Sequence, residues 1–411
     1  MQLTNDQQNA LNLFNAFLYD PIETVFVLSG YSGTGKSTLV KELLRQMPNA
    51  LRAMKLLNPK LKEYEVALTA TTNKAAENLS LLTGQEVKTI HQFLGLSVQT
   101  DYKTGVTSLM ARRREKAEGY LLFIDEASYI DRQLLDFIFS QTKDCKVVFI
   151  GDPAQLTPVK SNHTPVFQAN FSGATLTQVV RQAAGNPIVE LATKFRETVV
   201  TGEFFTFTPD GHAIKYMSRN EFNDAIKREF TRPDWKHLDS KVLAWTNKTV
   251  INYNHHVSDI VSNTPDFKVN DYAVVNSFIS SNRINYKTDE VVVINEIHGP
   301  VIQDGVKGKL YIINAFSSFF MPDSLADKKA LIKKAKAEGD VALLHRIDTT
   351  WIDLRAAYAC TINKSQGSTY DKVFIDLDDV RKCNSGDQLA RLLYVGVSRA
   401  KTQVFLTGDI A

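Results

Sequence analysis

Lys36 and Ser37 close a glycine-rich run, Gly30-Tyr31-Ser32-Gly33-Thr34-Gly35-Lys36-Ser37-Thr38. Glycines at 30, 33 and 35 let the backbone turn tightly enough to aim N–H groups at phosphate oxygens. A lysine at that place reaches β- and γ-phosphates, and the serine hydroxyl can ligand Mg²⁺. Asp125 and Glu126 form a second chemical pair. In a nucleotide site the first carboxylate holds Mg²⁺, directly or through water, and the second orients and deprotonates an attacking water. Gln155, in Gly151-Asp152-Pro153-Ala154-Gln155-Leu156, is a candidate γ-phosphate sensor, although Asp152-Pro153 also fits simple turn chemistry. Arg399 closes an apolar stretch from Leu392. Delivered from a second domain, such an arginine stabilises transition-state charge. Taken alone, it also fits a surface cation at a helix C-terminus.

These residues need strands that end where they begin. Val25 to Ser29 is apolar and β-branched, and it enters the glycine run; a helix rich in Leu and Lys leaves it. That is the context a phosphate-binding loop requires. Tyr120 to Ile124 leads to Asp125, and Lys146 to Ile150 leads to Gly151. In an open α/β sheet such strand ends share the edge where ligands bind. Val66 to Ala70 reads as a further strand, followed by Thr71, Thr72, Asn73 and Lys74. Hydroxyls, an amide and an amine there suit phosphodiester contacts, and equally suit a capped helix start. His91 and Phe93, after Thr89, suit base stacking or ordinary packing. Thr4-Asn5-Asp6 caps a helix running through Ala10, Leu11, Leu13, Phe14, Phe17 and Leu18. Gln7 in its first turn fits an adenine edge or a surface position.

Residues 97–119 are polar and aperiodic, with a hairpin expected to turn at Lys103 to Gly105. Arg112, Arg113 and Arg114 follow, a solvated charge run or a nucleic-acid contact. From Leu176 the βα pattern begins again. Strands are expected at Lys241 to Trp245, Val373 to Leu377 and Val404 to Leu406, a second α/β unit with no P-loop of its own. Between Phe267 and Asp348 short β-rich pieces suggest an inserted β domain. Ala326 to Gly339 reads as a lysine-rich helix with a solvated face. Ala359 to Thr369 gathers hydroxyls, amides, an amine and a glycine into a turn.

Composition narrows the class. The 411 residues are 44% hydrophobic and 23% charged, ordinary for a globular chain of two to three domains. A net charge of +3 is too small to mark a nucleic-acid binder, so any basic surface must be local. Cys145, Cys360 and Cys383 have no paired spacing, which argues against a zinc site or a disulfide framework. The N-terminus does not read as a signal peptide, and no apolar run approaches ~18 residues.

In this order the motifs resemble those of superfamily 1 DNA helicases, in the RecD-like and phage Dda-like branch. The resemblance covers nearly the whole chain. Leu3-Thr4 with Gln7 is similar to the Q motif, Gly30 to Thr38 to motif I, and Thr69 to Ala75 to motif Ia. Thr89-Ile90-His91 resembles that branch's Thr-Ile-His signature. Asp125-Glu126-Ala127-Ser128 resembles motif II, Gly151 to Leu156 motif III, and Leu176 to Arg181 motif IV. Lys364 to Thr369 resembles motif V and Tyr394 to Ala400 motif VI. Three departures stand out: Asn363 where motif V usually has histidine, Thr71 where motif Ia has proline, and no Asn-Gly turn in Asn282 to Glu290.

The resemblance implies an α/β protein with two RecA-like P-loop NTPase domains, residues 1–180 and 181–411. A small pin hairpin is expected at 97–119 and an SH3-like β insertion at 267–348. It implies ATP and Mg²⁺ in a cleft between the domains. Gln7, Gly30, Ser32, Gly33, Thr34, Gly35, Lys36, Ser37 and Thr38 would bind nucleotide, with Ser37 and Asp125 at the metal. Lys36, Asp125, Glu126, Gln155, Arg181 and Arg399 would carry the chemistry. Thr71, Asn73, Thr89, His91, Phe93, Asn363, Lys364, Ser365 and Thr369 would hold single-stranded DNA. The implied activity is ATP-dependent unwinding of forked duplex DNA, moving 5′→3′, in replication, recombination or repair. The implied setting is a monomer in a bacterial cytoplasm, off the membrane, with a phage or bacterial source, alongside a single-strand-binding protein or replication proteins. An RNA-directed motor and a nucleotide-gated DNA-binding module are the alternatives.

Overall fold

The computed structural model describes residues 3–57, 62–100, 107–112, 115–158, 164–180, 185–264, 266–280, 284–315 and 317–409. Two compact units emerge. The first joins Met1–Thr208 with Asn384–Ser398, and the second joins Pro209–Cys383 with Arg399–Ala411.

The first unit is a parallel sheet wrapped by helices. Its strands are β1 (Val25–Gly30), β2 (Glu65–Ala70), β3 (Lys88–Thr89), β4 (Tyr120–Asp125), β5 (Lys146–Gly151) and β6 (Ser172–Leu176), in spatial order β6-β1-β5-β4-β2-β3. Every residue of β5 is buried, as its unbroken apolar run demands of a strand covered on both faces. Helix α1 (Asn5–Tyr19) lays Ala10, Leu11, Phe14, Phe17 and Leu18 against Phe26, Leu28 and Phe123. Phe14 meets Phe26 edge-on, with ring centroids 5.9 Å apart. Each side chain of this kind contributes roughly 1.5–3 kcal/mol when fully buried. Lys146, which opens β5, is buried too. Its ammonium donates to the carbonyls of Phe17 (2.9 Å), Asp20 (2.6 Å) and Glu23 (2.6 Å), which satisfies the charge and holds the end of α1.

Helix α2 (Lys36–Leu57) follows β1, and α3 (Asn73–Thr83) follows β2. Leu96–Thr100 pairs antiparallel with Thr107–Ala111, Gln99 facing Ser108. This is the expected hairpin; residues 101–106 and Arg113 and Arg114 lie outside the described residues. Helix α4 (Pro187–Thr201) comes last before the second unit.

The second unit opens with β7 (Ile214–Met217), β8 (Ser240–Ala244) and helix α5 (Asn247–Ser262). The chain then builds an antiparallel sheet from β9 (Tyr272–Val275), β10 (Val291–Gln303), β11 (Val306–Ile313), β12 (Ser317–Pro322) and β13 (Leu354–Ala356), in order β12-β11-β10-β9-β13. Its inward side is lined by Ala273, Val292, Ile294, Tyr311 and Phe319. The helices Leu325–Glu338 and Val341–Thr350 precede β13. The chain returns with β14 (Ala359–Thr361), β15 (Tyr370–Asp376) and β16 (Ala400–Thr407), completing a parallel sheet of order β7-β16-β15-β8-β14. Between β15 and β16 lies α6 (Gly386–Ser398), which belongs to the first unit. No helix among the described residues is long and apolar enough to cross a membrane.

Candidate nucleotide site and strand-contact residues

Strand register gathers the first group of residues. Gly30 pairs with Leu176, Ser29 with Gly151, and Ala70 with Asp125. Gly30, Asp125 and Gly151 therefore share one edge of the parallel sheet, where ligands bind in folds of this kind. In the turn after β1, Gly33 and Gly35 have φ of 81° and 79°, which side chains resist. A Cβ at Gly35 would stand 2.7 Å from Gln7 Nε2. Ser37 and Thr38 lie in the first turn of α2, where unpaired N–H groups and the helix dipole favour an anion. Lys36 Nζ donates to Gly30 O at 2.7 Å and to Tyr31 O at 2.9 Å, so the cation is held at the loop. The Thr34 hydroxyl donates to Tyr31 O at 2.9 Å, bracing the turn.

Gln7 is not at the surface. It is 1% exposed, and its amide joins α1 to the loop. Oε1 takes the Thr4 N–H at 3.1 Å in a capping box, and Nε2 donates to Thr34 O at 3.0 Å. The cap at Thr4 thus sets the position of the P-loop. Neighbouring Asp6 accepts from Thr177 N–H (2.8 Å), the Thr177 hydroxyl (2.8 Å) and Gln178 N–H (3.1 Å). These donors, the Thr177 amide foremost, hold its carboxyl below the usual range. Two residues further, Val180 N–H donates to Gly33 O at 3.0 Å. The segment leading to Arg181 is therefore stitched to the P-loop; Arg181 itself lies outside the described residues.

Asp125 ends β4, and its Oδ1 accepts the Glu126 N–H at 2.8 Å. Desolvation, and then the charge of Glu126, push the Asp125 carboxyl well above the usual carboxylate range. Glu126 takes a left-handed conformation (φ 54°, ψ 45°), a costly one for a side-chain-bearing residue and one that recurs where function imposes it. Thr71 secures it: its N–H donates to Asp125 O at 3.1 Å and its hydroxyl to Glu126 O at 2.9 Å. Gln155 is 4% exposed in the turn after β5.

The strand-contact residues divide. Thr72 caps α3 by accepting Ala75 N–H at 3.2 Å, so the capping reading holds there, with Asn73 as the first helical residue. Thr89 caps the short helix Ile90–Leu94 in a reciprocal box with Gln92. His91 and Phe93 are half-buried; Phe93 meets Tyr120 edge-on at 5.2 Å. Burial lowers the His91 pKa, partly offset by Asp131, so this imidazole favours its neutral form. In the second unit, Asn363, Lys364 and Ser365 lie on the short helix Ile362–Ser365 capped by Thr361, with Thr369 half-buried just beyond it. Ser365 requires a correction. It is 0% exposed and its hydroxyl donates to Ile362 O at 2.7 Å, because the turn folds that side chain inward. Lys364 is tied to the antiparallel sheet's turn: Nζ meets Asp289 Oδ1 at 2.6 Å and Asn276 Oδ1 at 3.3 Å. Arg399 is not a surface cation either. It is 4% exposed, and its guanidinium donates to Ser368 O at 3.2 Å.

Sequence reading placed Tyr394 in the motif VI stretch without a role of its own and gave none to Arg391 or Arg196. Tyr394 bonds Ser32 and Asp152, and Arg391 bonds the carbonyls of Pro153 and Gln155. For Arg391 and Tyr394 the available signal was an arginine and a tyrosine within the apolar stretch Ala390 to Val397; Arg196, on α4, offered none.

Comparison with known proteins agrees with this geometry. Residues 2–217, more than half of the chain, match the family model described as AAA domain. Residues 356–407 match the UvrD-like helicase C-terminal domain. The ATP-dependent DNA helicase dda of Enterobacteria phage T4 is 25% identical, over 98% of this chain and 98% of its own. The ATP-dependent RecD2 DNA helicase of Deinococcus radiodurans is 34% identical over 40% of this chain and 21% of its own. In fold, the chain is similar to a Pif1 helicase from Bacteroides solved with ADP-AlF3 and single-stranded DNA. The TM-score is 0.52 at 17% identity, covering 100% of this chain and 93% of the other. The chain belongs to the AAA-domain family that its first half matches and to the superfamily 1 helicases of the RecD/Dda/Pif1 branch.

Proposed function

We propose that the protein is an ATP-dependent DNA helicase that moves 5′→3′ on single-stranded DNA and opens forked duplexes, in replication, recombination or repair. The observation that carries this is one sheet edge holding the Gly30–Thr38 loop, Asp125, Glu126 and Gln155, in a chain matched end to end by a DNA helicase. In this reading Lys36 and the loop amides bind the β- and γ-phosphates. Glu126 takes a proton from the attacking water at its carboxylate. Gln155, Arg181 and Arg399 answer to the γ-phosphate.

The donor set suits Mg²⁺. Ser37 and Asp125 offer only oxygen, and burial first, then the Glu126 charge, raise the Asp125 carboxyl, a cost that a bound cation would relieve. Bound there, the ion would neutralise phosphate charge. Thr71 joins strand grip to hydrolysis, since the backbone it clamps belongs to Asp125 and Glu126. The strand contacts are Asn73, Thr89, His91, Phe93, Asn363, Lys364 and Thr369. The hairpin at 97–119 serves as the pin, and the antiparallel sheet of the second unit as the SH3-like insertion.

Unwinding of forked substrates with a 5′ or a 3′ single-stranded tail tests activity and polarity together. Separation from the 5′ tail is expected. Tight, ATP-hydrolysing binding with no separation on either fork overturns the helicase reading, and preferential stimulation by RNA oligonucleotides of equal length overturns the choice of DNA.

A further inference from the structure

A chain of hydrogen bonds leaves the P-loop and ends on α6. The Ser32 N–H donates to the Tyr394 hydroxyl at 2.8 Å, and that hydroxyl donates to Asp152 Oδ2 at 2.5 Å. Asp152 Oδ1 takes the Ala154 N–H at 3.0 Å and faces Arg196 Nε at 3.5 Å. The Arg196 guanidinium lies 3.6 Å over the Tyr31 ring, which returns the network to the loop where it began. Asp152 is 0% exposed and Tyr394 2%, so neither of these two can trade its partner for water. One turn earlier on α6, Arg391 donates to Pro153 O at 2.6 Å and to Gln155 O at 2.7 Å. Helix α6 is thus fixed at two points, one on the nucleotide loop and one on the turn that carries Gln155.

A phenylalanine would fill the space of Tyr394 equally well. What the tyrosine adds is direction: its oxygen accepts from the loop amide and its proton goes to Asp152. Burial, and then the Asp152 charge, keep its pKa well above the usual range, so it remains a phenol and keeps that proton to donate. Helix α6 ends at Ser398, and Arg399 follows. Four residues of helix, about 6 Å, separate Tyr394 from that end. Over so short a rod, a displacement at Tyr394 reaches the start of Arg399 undiminished.

We propose that Tyr394 is a positioning residue: by joining Ser32 to Asp152 it registers α6 against the P-loop and so sets where Arg399 begins. The proposal rests on the reading of Arg399 as the γ-phosphate cation. Tyr394 touches no phosphate in this scheme and acts through the arginine that follows its helix.

The test compares Tyr394→Phe, Arg399→Ala and the double variant of the full chain. It measures DNA-stimulated turnover, nucleotide affinity with a fluorescent ATP analogue, and thermal midpoint. A misplacement of about 1 Å is enough to cost turnover up to ~100-fold. Tyr394→Phe is therefore expected to lose ten- to a hundredfold in kcat, while nucleotide affinity stays within about threefold. The double variant is expected to turn over no more slowly than Arg399→Ala, because one residue acts through the other. Losses that multiply in the double variant overturn the proposal. So does wild-type turnover in Tyr394→Phe when Arg399→Ala is slow, an outcome that leaves the function of Arg399 standing. Wild-type turnover in Arg399→Ala overturns both. A purely structural tyrosine would lower the thermal midpoint and leave kcat per folded molecule unchanged, and that result also overturns it.

Discussion

Two helix starts in this chain solve the same problem in opposite ways. After β1, the turn into α2 is built from glycines with positive φ, and its one cation, Lys36, rests on two neutral carbonyls. After β8, the turn into α5 has no glycine, and an anion from the chain already sits in it. The Asp379 carboxylate accepts from Trp245 N–H (2.8 Å), Thr246 N–H (2.7 Å), the Thr246 hydroxyl (2.8 Å) and the Thr249 hydroxyl (2.7 Å). Lys382 adds its ammonium at 2.8 Å. Both turns offer the amides and dipole of a helix N-terminus after a buried parallel strand. One is built from positive-φ glycines and a lysine. The other is plugged by a side chain that returns from the end of β15. A second α/β unit without a P-loop is therefore not a degenerate first one; its anion site is used for its own folding.

The largest effects should come from the first turn. Lys36→Ala removes the phosphate cation and Glu126→Gln the base, and each should cut DNA-stimulated ATP turnover by ~10²–10⁴-fold. Thermal stability should change far less than turnover, since the carbonyls of Gly30 and Tyr31 that Lys36 leaves behind belong to a polar turn. Steady-state hydrolysis and a melting curve read both. Substantial turnover surviving both substitutions would break the contrast at its first term.

Asp379→Ala should do the reverse. It orphans the donors gathered on a carboxylate 1% exposed, at an expected cost of ~3 kcal/mol in stability. Nucleotide affinity of the folded fraction should stay at the wild-type level. The acid limb carries a signature as well. Burial opposes the charge of Asp379, but Lys382 and the Thr246 and Thr249 donors outweigh it, so its pKa lies below the usual 3.8. A carboxylate depressed on folding stabilises above its unfolded pKa, and that stability drains away as pH falls through the lower folded value. Denaturant melts stepped down through pH 4 should therefore show wild type losing more stability than Asp379→Asn. Parallel curves would mean that the plug is not electrostatic.

Gly35→Ala probes the glycine side of the comparison at smaller amplitude. With φ at 79° and a Cβ only 2.7 Å from Gln7 Nε2, the substitution strains the loop and displaces the amide that holds Thr34 O. A left-handed residue with a side chain costs ~1–2 kcal/mol, which is about tenfold in nucleotide Kd. Titration with a fluorescent nucleotide measures it, and an unchanged Kd would show that the conformation is not required for binding.

Much of this was legible in sequence because the chemistry sits at strand ends. The runs at 25–29, 120–124 and 146–150 each stop where a candidate site segment begins, and register then places those ends on one edge. What stayed hidden depends on partners far away in the chain. Gln7 looks like any polar residue in a first helical turn until α1 packs beside Thr34. Tyr394 meets Asp152 across 242 residues, and Asp379 meets Trp245 across 134. No local period encodes either pairing. Ser365 and Lys364 are adjacent, yet one hydroxyl turns inward and one amine outward, a distinction set by the cap at Thr361 and the Asp289 turn.

The smallest expected effect concerns that outward amine. Lys36 donates to backbone carbonyls and feels the Asp125 carboxylate only through space, whereas Lys364 pairs directly with a carboxylate: its Nζ lies 2.6 Å from Asp289 Oδ1, with both side chains about one-third exposed (34% and 35%). A pair so open to water contributes at most ~1 kcal/mol, so it competes with a phosphate without excluding one. Asp289→Asn should release Lys364 to the strand and tighten single-stranded DNA a few-fold at low salt. Each phosphate newly neutralised should also steepen the log K against log salt line by ~0.7. Lys364→Ala should weaken binding and flatten that line, and in the double variant the gain from Asp289→Asn should vanish. Fluorescence anisotropy across a salt series separates the cases. If the gain persists without Lys364, Asp289 repels the strand directly, and the second unit's lysine is structural in the same sense as its plugged helix.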